Sequence, residues 1–399
     1  MQVRKYQNFI VVGVVVLLAG LSMAMVQYKV PTIMTTLMES FDLTASGGSW
    51  LMSIFTLMAV FTSIIFGTLS QKYKAKNIVV AATVIIVIGS IIGAFSHAGW
   101  LLIASRAIEG IALTAMTTCG PIIVQKCVHP SKISSAMGIW GIWGPLGSVF
   151  AALLTPTFYK NFGFTALWII YAVAVVVIVL FMYMIIKEPS GEELVEGVED
   201  NIELPKPRYR DLFTRNTILF YIAFVCFNIC MLAVLSYVPT ILQMQGFDST
   251  TSGFVSTLPM LLSVISSPLV GVIADKIGSP KMPLVCTMVF LGPCAFLLYT
   301  QTGVIMWVAA VFMGLFGMGS TGVLIATYTR SIPRPDLVPI GMGVLTTVQG
   351  IGQFLGSFMV QALLGADLTN WYLAGAVVMV LTLLGTVAAC FVKLEKIKA

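Results

Sequence analysis

The chain has 399 residues, of which 58% are hydrophobic and 10% are charged, and its net charge at neutral pH is +6. Soluble domains carry about 25% charged residues, and a soluble fold of this length needs a polar surface that this composition does not supply. The composition therefore excludes a soluble enzyme and indicates a protein whose main solvent is the lipid bilayer.

Twelve apolar windows follow one another along the chain, each long enough to cross about 30 Å of hydrocarbon as a helix. They are too long, and too poor in alternating polar positions, for the strands of an outer-membrane barrel. Helices satisfy their own backbone groups in lipid, so we predict an all-α polytopic membrane protein with twelve transmembrane helices. The windows are 8–37, 47–70, 77–96, 99–126, 133–156, 164–186, 216–242, 250–275, 282–302, 304–329, 338–365 and 371–392.

The basic residues predict the orientation of these helices. If the N-terminus is cytoplasmic, nineteen of the 22 Lys and Arg residues fall in cytoplasmic segments, Lys160 lies outside, and Lys29 and Arg106 lie within spans. Lys and Arg collect in cytoplasmic loops, so we expect both termini in the cytoplasm and the protein in the plasma (inner) membrane. The same bias accounts for the net charge of +6 without a nucleic-acid partner.

The longest polar stretch divides the chain into two halves. It contains eight of the sixteen acidic residues, followed by a basic run. We expect an N-terminal six-helix bundle over 1–186, a cytoplasmic linker over 187–215 and a C-terminal six-helix bundle over 216–399. A solvated linker is the simpler interpretation of the middle segment, and a regulatory or docking element is the alternative.

The two halves repeat one another at an offset of 204 to 208 residues, which is typical of internal duplication. Four pairs of short segments show it. They are 30–33 and 238–241, both Val-Pro-Thr-Ile; Phe41-Asp42 and Phe247-Asp248; Gly67–Lys72 and Gly271–Lys276; and Met137-Gly138 and Met342-Gly343. Two parallel six-helix repeats are the architecture of transporters that expose a midplane site alternately to each side of the membrane.

Three segments make the resemblance specific. Gly271–Lys281 resembles the Gly-x-Leu-Ala/Ser-Asp-Arg/Lys-x-Gly-Arg/Lys loop that follows the second helix of the major facilitator superfamily, and Gly67–Lys76 is a second copy in which Gln71 replaces the acid. Arg106–Gly110 is similar to the Arg-x-x-Gln/Glu-Gly element of its fourth helix, and Gly163-Phe164 with Trp168 to the start of its sixth. The chain therefore resembles this superfamily over essentially its whole length.

The resemblance implies conformational gating at the two loops. The acid is expected to cap and pair with neighbouring helix ends on the cytoplasmic side and so to latch the outward-open state. Because Gln71 cannot supply that charge, we expect a weaker latch in the first half. The expected gating residues here are Gly67, Gln71, Lys72, Gly271, Asp275 and Lys276.

Charged residues within spans are expensive and mark functional sites. The chain has three, Lys29, Arg106 and Glu109. Lys29 either faces a cavity or extends outward to the headgroups. Arg106 and Glu109, three residues apart on one helix face, form either a structural ion pair or, as the resemblance implies for this arginine, a proton-coupling site. Glu109 is the only acid within a span and is the expected proton carrier.

Two cations and one anion favour a negatively charged substrate. We expect Lys29 and Arg106 to bind a carboxylate-like group. Further residues that could line the substrate site, or could only join helices through hydrogen bonds, are Gln27, Asn228, Tyr237, Gln349 and Gln353.

Glycine and proline spacing predicts close helix packing in the fifth and eleventh helices. Gly144-Pro145 in the fifth helix is similar to the antiporter signature of the superfamily, although Trp140 and Ser148 replace two of its glycines. This pair keeps exchange and drug export open as mechanisms, and we count Gly144 and Pro145 among the expected gating residues.

The sequence offers no motif for a cofactor or a metal. Gly317–Gly322 matches the dinucleotide fingerprint, but it lies inside an apolar span and follows no strand. His97 and His129 are too far apart to share a metal, and the seven cysteines are expected to be free thiols.

These features predict a secondary active transporter that moves a small organic or inorganic anion by proton symport or anion exchange. We expect a monomer, surrounded by membrane lipids, that binds a small molecule and couples to protons. The main alternative is a multidrug/proton antiporter, favoured by 22 Met residues and many aromatic residues. A non-transporting membrane sensor on the same scaffold is a second alternative.

Overall fold

The computed structural model describes residues 6–43, 45–189, 209–247, 249–332, 335–364 and 370–393, so most of the predicted linker, residues 190–208, lies outside the described residues. Within these ranges the regular secondary structure is helical, without a strand. The all-α prediction is confirmed, as expected for apolar segments that must satisfy their own backbone groups.

In the residues that the structure describes, fourteen α-helices carry the fold. They are α1 Phe9–Thr32, α2 Met34–Ser40, α3 Ala45–Lys72, α4 Ala75–Ala94, α5 Gly99–Cys127, α6 Ile133–Trp140, α7 Trp143–Ile185, α8 Arg215–Met244, α9 Ser249–Ile277, α10 Lys281–Thr300, α11 Val304–Phe312, α12 Thr321–Ser331, α13 Val338–Leu364 and α14 Trp371–Phe391.

In the part of the chain that the structure describes, eleven stretches are long and apolar enough to cross a membrane. One of them, Pro130–Ile185, contains two of the predicted windows. Gly163 lies between these two windows and has a non-helical backbone conformation, with φ 80° and ψ 178°. The range given for α7 therefore contains two helices. This backbone conformation is open to glycine and strained for other residues, so a single residue ends the fifth span and begins the sixth.

The chain forms two compact units. The first comprises 1–130, 143–208 and 334–347, and the second comprises 131–142, 209–333 and 348–399. Each unit thus consists mainly of one sequence half and includes one short segment from the other. Both of these segments come from the windows predicted as the fifth and eleventh helices.

In the first unit, α1 packs on α7, and α5 packs on both α3 and α4. Its buried side chains include aromatic ones such as Trp168 and Tyr171 and, among the described residues, four charged ones. In the second unit, α14 packs on α8 and α10, and α6 packs on α9. Its core is mostly apolar, with buried serine hydroxyls along α9.

The window predicted as the tenth helix is irregular at its centre. A π-helical turn, Met313–Gly317, and a 3₁₀ turn, Met318–Ser320, separate α11 from α12. A Cβ on Gly314 would lie 2.9 Å from the carbonyl oxygen of Pro259, and one on Gly319 would contact the Ser266 hydroxyl. Close packing against α9 therefore explains these two glycines, of which Gly319 belongs to the fingerprint-like sequence.

Candidate functional site

The three charged residues of the predicted spans meet inside the first unit. The Lys29 ammonium Nζ, on α1, lies 2.7 Å from Oε1 of Glu109, on α5. Arg106, one turn before Glu109, donates to the other carboxylate oxygen, Oε2. All three side chains are fully buried. We call them the ion triad.

A serine from a third helix completes the environment of the carboxylate. Ser90, buried on α4, donates its hydroxyl to Oε1 of Glu109 over 2.6 Å. Glu109 thus accepts hydrogen bonds from α1, α4 and its own helix. Charge-assisted bonds of this kind are the strong ones in a protein interior, and together they offset the cost of burying the carboxylate.

A proline in α1 positions the arginine. Pro31 has no backbone N–H, so the carbonyl of Gln27, four residues earlier, lacks its usual helical donor. Arg106 NH2 donates to that carbonyl over 3.0 Å, and Arg106 NH1 donates to the carbonyl of Val26 over 3.0 Å. The guanidinium is therefore held by backbone as well as by Glu109.

Aromatic rings cover both cations. The Lys29 ammonium lies 4.1 Å from the centre of the Trp168 ring, on the sixth span, and the Arg106 guanidinium carbon lies 4.2 Å from that of Phe55, on α3. Attraction between a cation and a ring face is strongest where water is excluded. Five spans therefore supply groups to the ion triad.

Glycines let these helices approach closely enough to enclose the charges. A Cβ on Gly110 would collide with the Phe55 carbonyl oxygen, and one on Gly89 would lie 3.0 Å from Cγ of Glu109. The Arg-x-x-Glu-Gly element thus combines two charges with the glycine that allows α3 to pack beside them.

Lys29 does not extend to the headgroups. Its side chain is fully buried and bonded to Glu109, so of the two alternatives for this lysine the structure supports an interior position. The triad carries two positive charges and one negative charge when all three groups are ionised. An excess of one positive charge therefore lies in the core of the first unit.

Of the other expected substrate residues, Gln27 meets the triad through its backbone carbonyl, and the remaining four belong to the second unit. Asn228 is buried on α8 and donates its amide to the carbonyl of Phe224 on the same helix. Tyr237 on α8 and Gln349 and Gln353 on α13 are half-buried residues of the second unit.

The predicted gating acid, Asp275, contacts the start of α6. Its Oδ2 accepts from the Ser135 backbone N–H at 2.7 Å and from the Ser135 hydroxyl at 2.6 Å, and its Oδ1 accepts from the Ser134 N–H at 3.2 Å. Arg330 lies 3.8 Å from the same carboxylate. The acid thus caps the first turn of a helix, where N–H groups lack intrahelical partners.

The corresponding contact in the first half has the opposite polarity. Gln71 donates its side-chain N–H to the carbonyl oxygen of Asp336, just before α13, over 3.0 Å. A carboxylate at this position would face an acceptor. The missing acid is therefore matched to its surroundings. The neighbouring Lys72, like its counterpart Lys276, is exposed.

Two helix crossings repeat with the sequence. A Cβ on Gly67 would lie 2.6 Å from the Pro339 carbonyl oxygen, and one on its counterpart Gly271 would lie 2.5 Å from that of Ser134. Each predicted gating glycine thus presses its helix against the segment from the other sequence half that its unit contains.

Gly144 and Pro145 lie in the first turn of α7, directly after a two-residue turn that interrupts the predicted fifth helix. Pro145 cannot donate to the carbonyl of Gly141, which explains the interruption at that point. A Cβ on Gly144 would meet nothing within 4 Å, whereas one on Gly147 would collide with the Ala24 side chain of α1. Gly147 is thus the glycine that packs this helix closely.

Three contacts were missed in the sequence analysis. Ser90 and Trp168 contact the ion triad, and Glu188 contacts the ends of α4 and α5. Glu188 was counted among the linker acids, yet its side chain is buried. Its oxygens accept from the backbone N–H groups of Ala75 and Lys76 at 2.9 Å, and it pairs with Lys126 at 3.1 Å. Its position three residues after the end of α7 was the available signal.

Comparison with known proteins gives the family. The model of the Major Facilitator Superfamily matches residues 13–357. The niacin transporter NiaP of Acinetobacter baylyi is 22% identical over 362 residues, which cover 80% of this chain and 79% of that protein.

Two solved structures share the fold. The human organic anion transporter MFSD10 has a TM-score of 0.75 at 15% identity, covering 96% of this chain and 100% of that one. The proton:xylose symporter XylE has a TM-score of 0.78 at 14% identity, covering 97% and 96%. Identities this low show the fold alone.

The family match extends over both repeats, including the Arg106–Gly110 element and the Gly67 and Gly271 loops that the sequence analysis singled out. The chain is therefore a multi-pass membrane transporter, not an enzyme, and belongs to the major facilitator superfamily of secondary transporters.

Proposed function

We propose that the protein transports a small organic anion with a carboxylate-like group across the plasma membrane, coupled to protons. The observation that carries the proposal is the ion triad, which leaves one positive charge in excess in a fully buried place. A buried excess of positive charge attracts anions and repels organic cations.

The relatives support this choice of substrate class. One is a niacin transporter, and niacin carries a carboxyl group; a structural neighbour is an organic anion transporter. Another neighbour is a proton symporter, which favours proton coupling. The distribution of Lys and Arg residues along the chain favours an orientation with both termini in the cytoplasm.

Alternating access requires contacts that can separate. We assign this role to the two helix crossings at Gly67 and Gly271 and to the Asp275 cap on α6. Each consists of backbone contacts and a few polar bonds, a type of interface that can form and break without disturbing the core of a unit.

Ligand-dependent thermal stability tests the proposal. Purified protein is heated with nicotinate, benzoate or phosphate and, separately, with the lipophilic cation tetraphenylphosphonium. A ligand that binds the folded state stabilises it by about 2.7 kcal/mol at a concentration of a hundred times its Kd. This stabilisation raises the melting temperature. We expect stabilisation by a carboxylate and its loss in Lys29→Gln.

Lys160→Gln is the matched control, since it removes the same charge from an exposed lysine. It should keep the stabilisation. Equal loss in both variants, or no response to any of the three anions, would contradict anion transport at the triad.

A multidrug/proton antiporter is the second candidate. It is favoured by the two-residue turn that interrupts the fifth span directly before Gly144-Pro145, the pair that resembles the antiporter signature. Stabilisation by tetraphenylphosphonium without stabilisation by the anions would support export of lipophilic cations instead.

A further inference from the structure

The protonation state of the ion triad follows from its contacts. Among the residues that the structure describes, Glu109 and Arg106 are the charged groups that act on Lys29. The neighbouring helices contribute uncharged groups, namely Ser90 from α4, Phe55 from α3 and Trp168 from the sixth span. With all three groups ionised, the cluster carries a net charge of +1.

Only one change of protonation removes this charge. Arginine keeps its proton in proteins, and Arg106 is also held by two backbone carbonyls. Protonation of Glu109 would leave two facing cations and a net charge of +2. Loss of a proton from Lys29 leaves the neutral lysine beside the Glu109–Arg106 pair, with a net charge of zero, and lysine is the cation that loses its proton when buried.

The neutral lysine keeps its contacts. An amine has two N–H groups, one of which can donate to Oε1 of Glu109, 2.7 Å away, while the other faces the Trp168 ring. Glu109 keeps its bonds from Ser90 and Arg106. Both protonation states of Lys29 therefore fit the same enclosure. A protonated Glu109 does not, because it would leave two cations facing each other without a counter-charge.

We propose that Lys29, and not Glu109, is the proton-exchanging group, and that its proton binds together with the anionic substrate. The proton comes from a hydronium ion of the surrounding water: one of its O–H bonds breaks, an N–H bond forms on the lone pair of the Lys29 amine, and a water molecule is left. A bound carboxylate cancels the charge that the proton adds, so each favours the binding of the other. This inference rests on the proposed anion transport and assigns its coupling as one proton with one anion.

Proton uptake on ligand binding tests the inference directly. Detergent-solubilised protein in weak buffer receives nicotinate, benzoate or phosphate, whichever stabilises it most, between pH 6 and 9. The two carboxylates stay ionised there, since carboxyl groups titrate near pH 4. We expect uptake of about one proton per carboxylate at the alkaline end of the range, and an affinity that falls about tenfold per pH unit there, as linkage of one proton requires. If phosphate is the ligand, its own change of protonation adds to the measured uptake. The proton uptake of Lys29→Arg with phosphate measures that contribution and is subtracted.

Two variants represent the two states of the lysine. Lys29→Arg is permanently charged and should bind the anion without proton uptake and with an affinity independent of pH. Lys29→Met has the shape of the neutral lysine and should lose affinity at least tenfold at acid pH, where the wild-type lysine is charged. Lys160→Arg and Lys160→Met, at the exposed lysine, should behave as wild type.

The outcomes separate the inference from the function. Anion binding in which Lys29→Arg still takes up a proton, or in which Glu109→Gln alone abolishes the uptake, would overturn Lys29 as the proton site and leave anion transport standing. If Lys29→Arg fails to fold, full affinity of Lys29→Met would overturn the inference equally. No stabilisation by any of the three anions would contradict the proposed function itself.

Discussion

Glu109 is the residue on which the buried charges depend. It faces both cations, and its two oxygens accept from Lys29, Ser90 and Arg106. Removing one partner of a buried ion pair costs about 3–5 kcal/mol because the other charge remains unpaired. The carboxylate therefore stabilises the first unit whether or not it takes part in proton exchange, so the proton uptake of Glu109→Gln is compared only while that variant still binds the anion.

At the end of the sixth span, Glu188 performs a similar task for helix ends. It caps the first N–H groups of α4 and pairs with Lys126 in the last turn of α5. Glu188→Gln should lower the free energy of unfolding by about 1–3 kcal/mol, since it removes charge-assisted bonds from a buried group. The melting temperature of the purified protein measures this.

Glu39→Gln is the control for this change, because Glu39 is exposed near the end of α2. It should leave the melting temperature within the error of the measurement. A melting temperature for Glu188→Gln that matches the control would show that Glu188 contributes no net stability.

The sequence identified Lys29, Arg106 and Glu109 because a charge within an apolar window is visible without any structure. It could not identify Ser90 or Trp168, since a serine and a tryptophan within a span are ordinary residues until a contact is known. Glu188 was assigned to the linker because it lies at the start of the long polar stretch. Its burial depends on the packing of α4, α5 and α7, which no local pattern encodes.

Among the helices, the glycine crossings determine how closely neighbours approach. Gly271 of α9 presses against the backbone of Ser134, so a methyl group there must push the helices apart. Gly271→Ala should destabilise the contact between α9 and α6 by about 1–3 kcal/mol, as overpacking does. Thermal stability and the accessibility of a cysteine at Ala136, buried on α6, measure the loss.

Gly253→Ala is the matched control on the same helix, because a Cβ there would meet nothing within 4 Å. It should be neutral or stabilising by up to about 1 kcal/mol, since alanine favours a helix more than glycine does. Equal destabilisation in the two variants would show that helix propensity, and not the crossing, explains the effect.

The number and order of the helices could be predicted because their apolar windows are long and separated by charged or polar turns. The irregular centre of the predicted tenth helix could not. Its π turn begins at Met313, which the sequence repeat aligns with Glu109. Two copies of one ancestral segment have therefore diverged, one into a charge cluster that the sequence shows and the other into a break in the helix that only the structure shows.

At the scale of the whole molecule, the duplicated loops are alike in geometry and different in chemistry. Asp275 caps α6 through its charge, whereas Gln71 donates to a carbonyl. A carboxylate at a helix start is stabilised by the unpaired N–H groups and the helix dipole. A hydrogen bond from a side-chain amide to an exposed carbonyl contributes less free energy. The conformational equilibrium should therefore depend more on the second loop than on the first.

Asp275→Asn tests this dependence. Losing the charge weakens two backbone bonds and the attraction of Arg330, at a cost of about 1.5–3 kcal/mol, which corresponds to a change of roughly tenfold or more in a two-state equilibrium. In a variant without native cysteines, Ala136→Cys on α6 should react at least several-fold faster with N-ethylmaleimide, because α6 leaves α9 more often. We expect the population to shift toward the inward-open state, and the proposed anion uptake to fall with it. Asp42→Asn, which removes an exposed acid far from the loop in sequence, serves as the control, and unchanged labelling in Asp275→Asn would show that the carboxylate does not hold the loop closed.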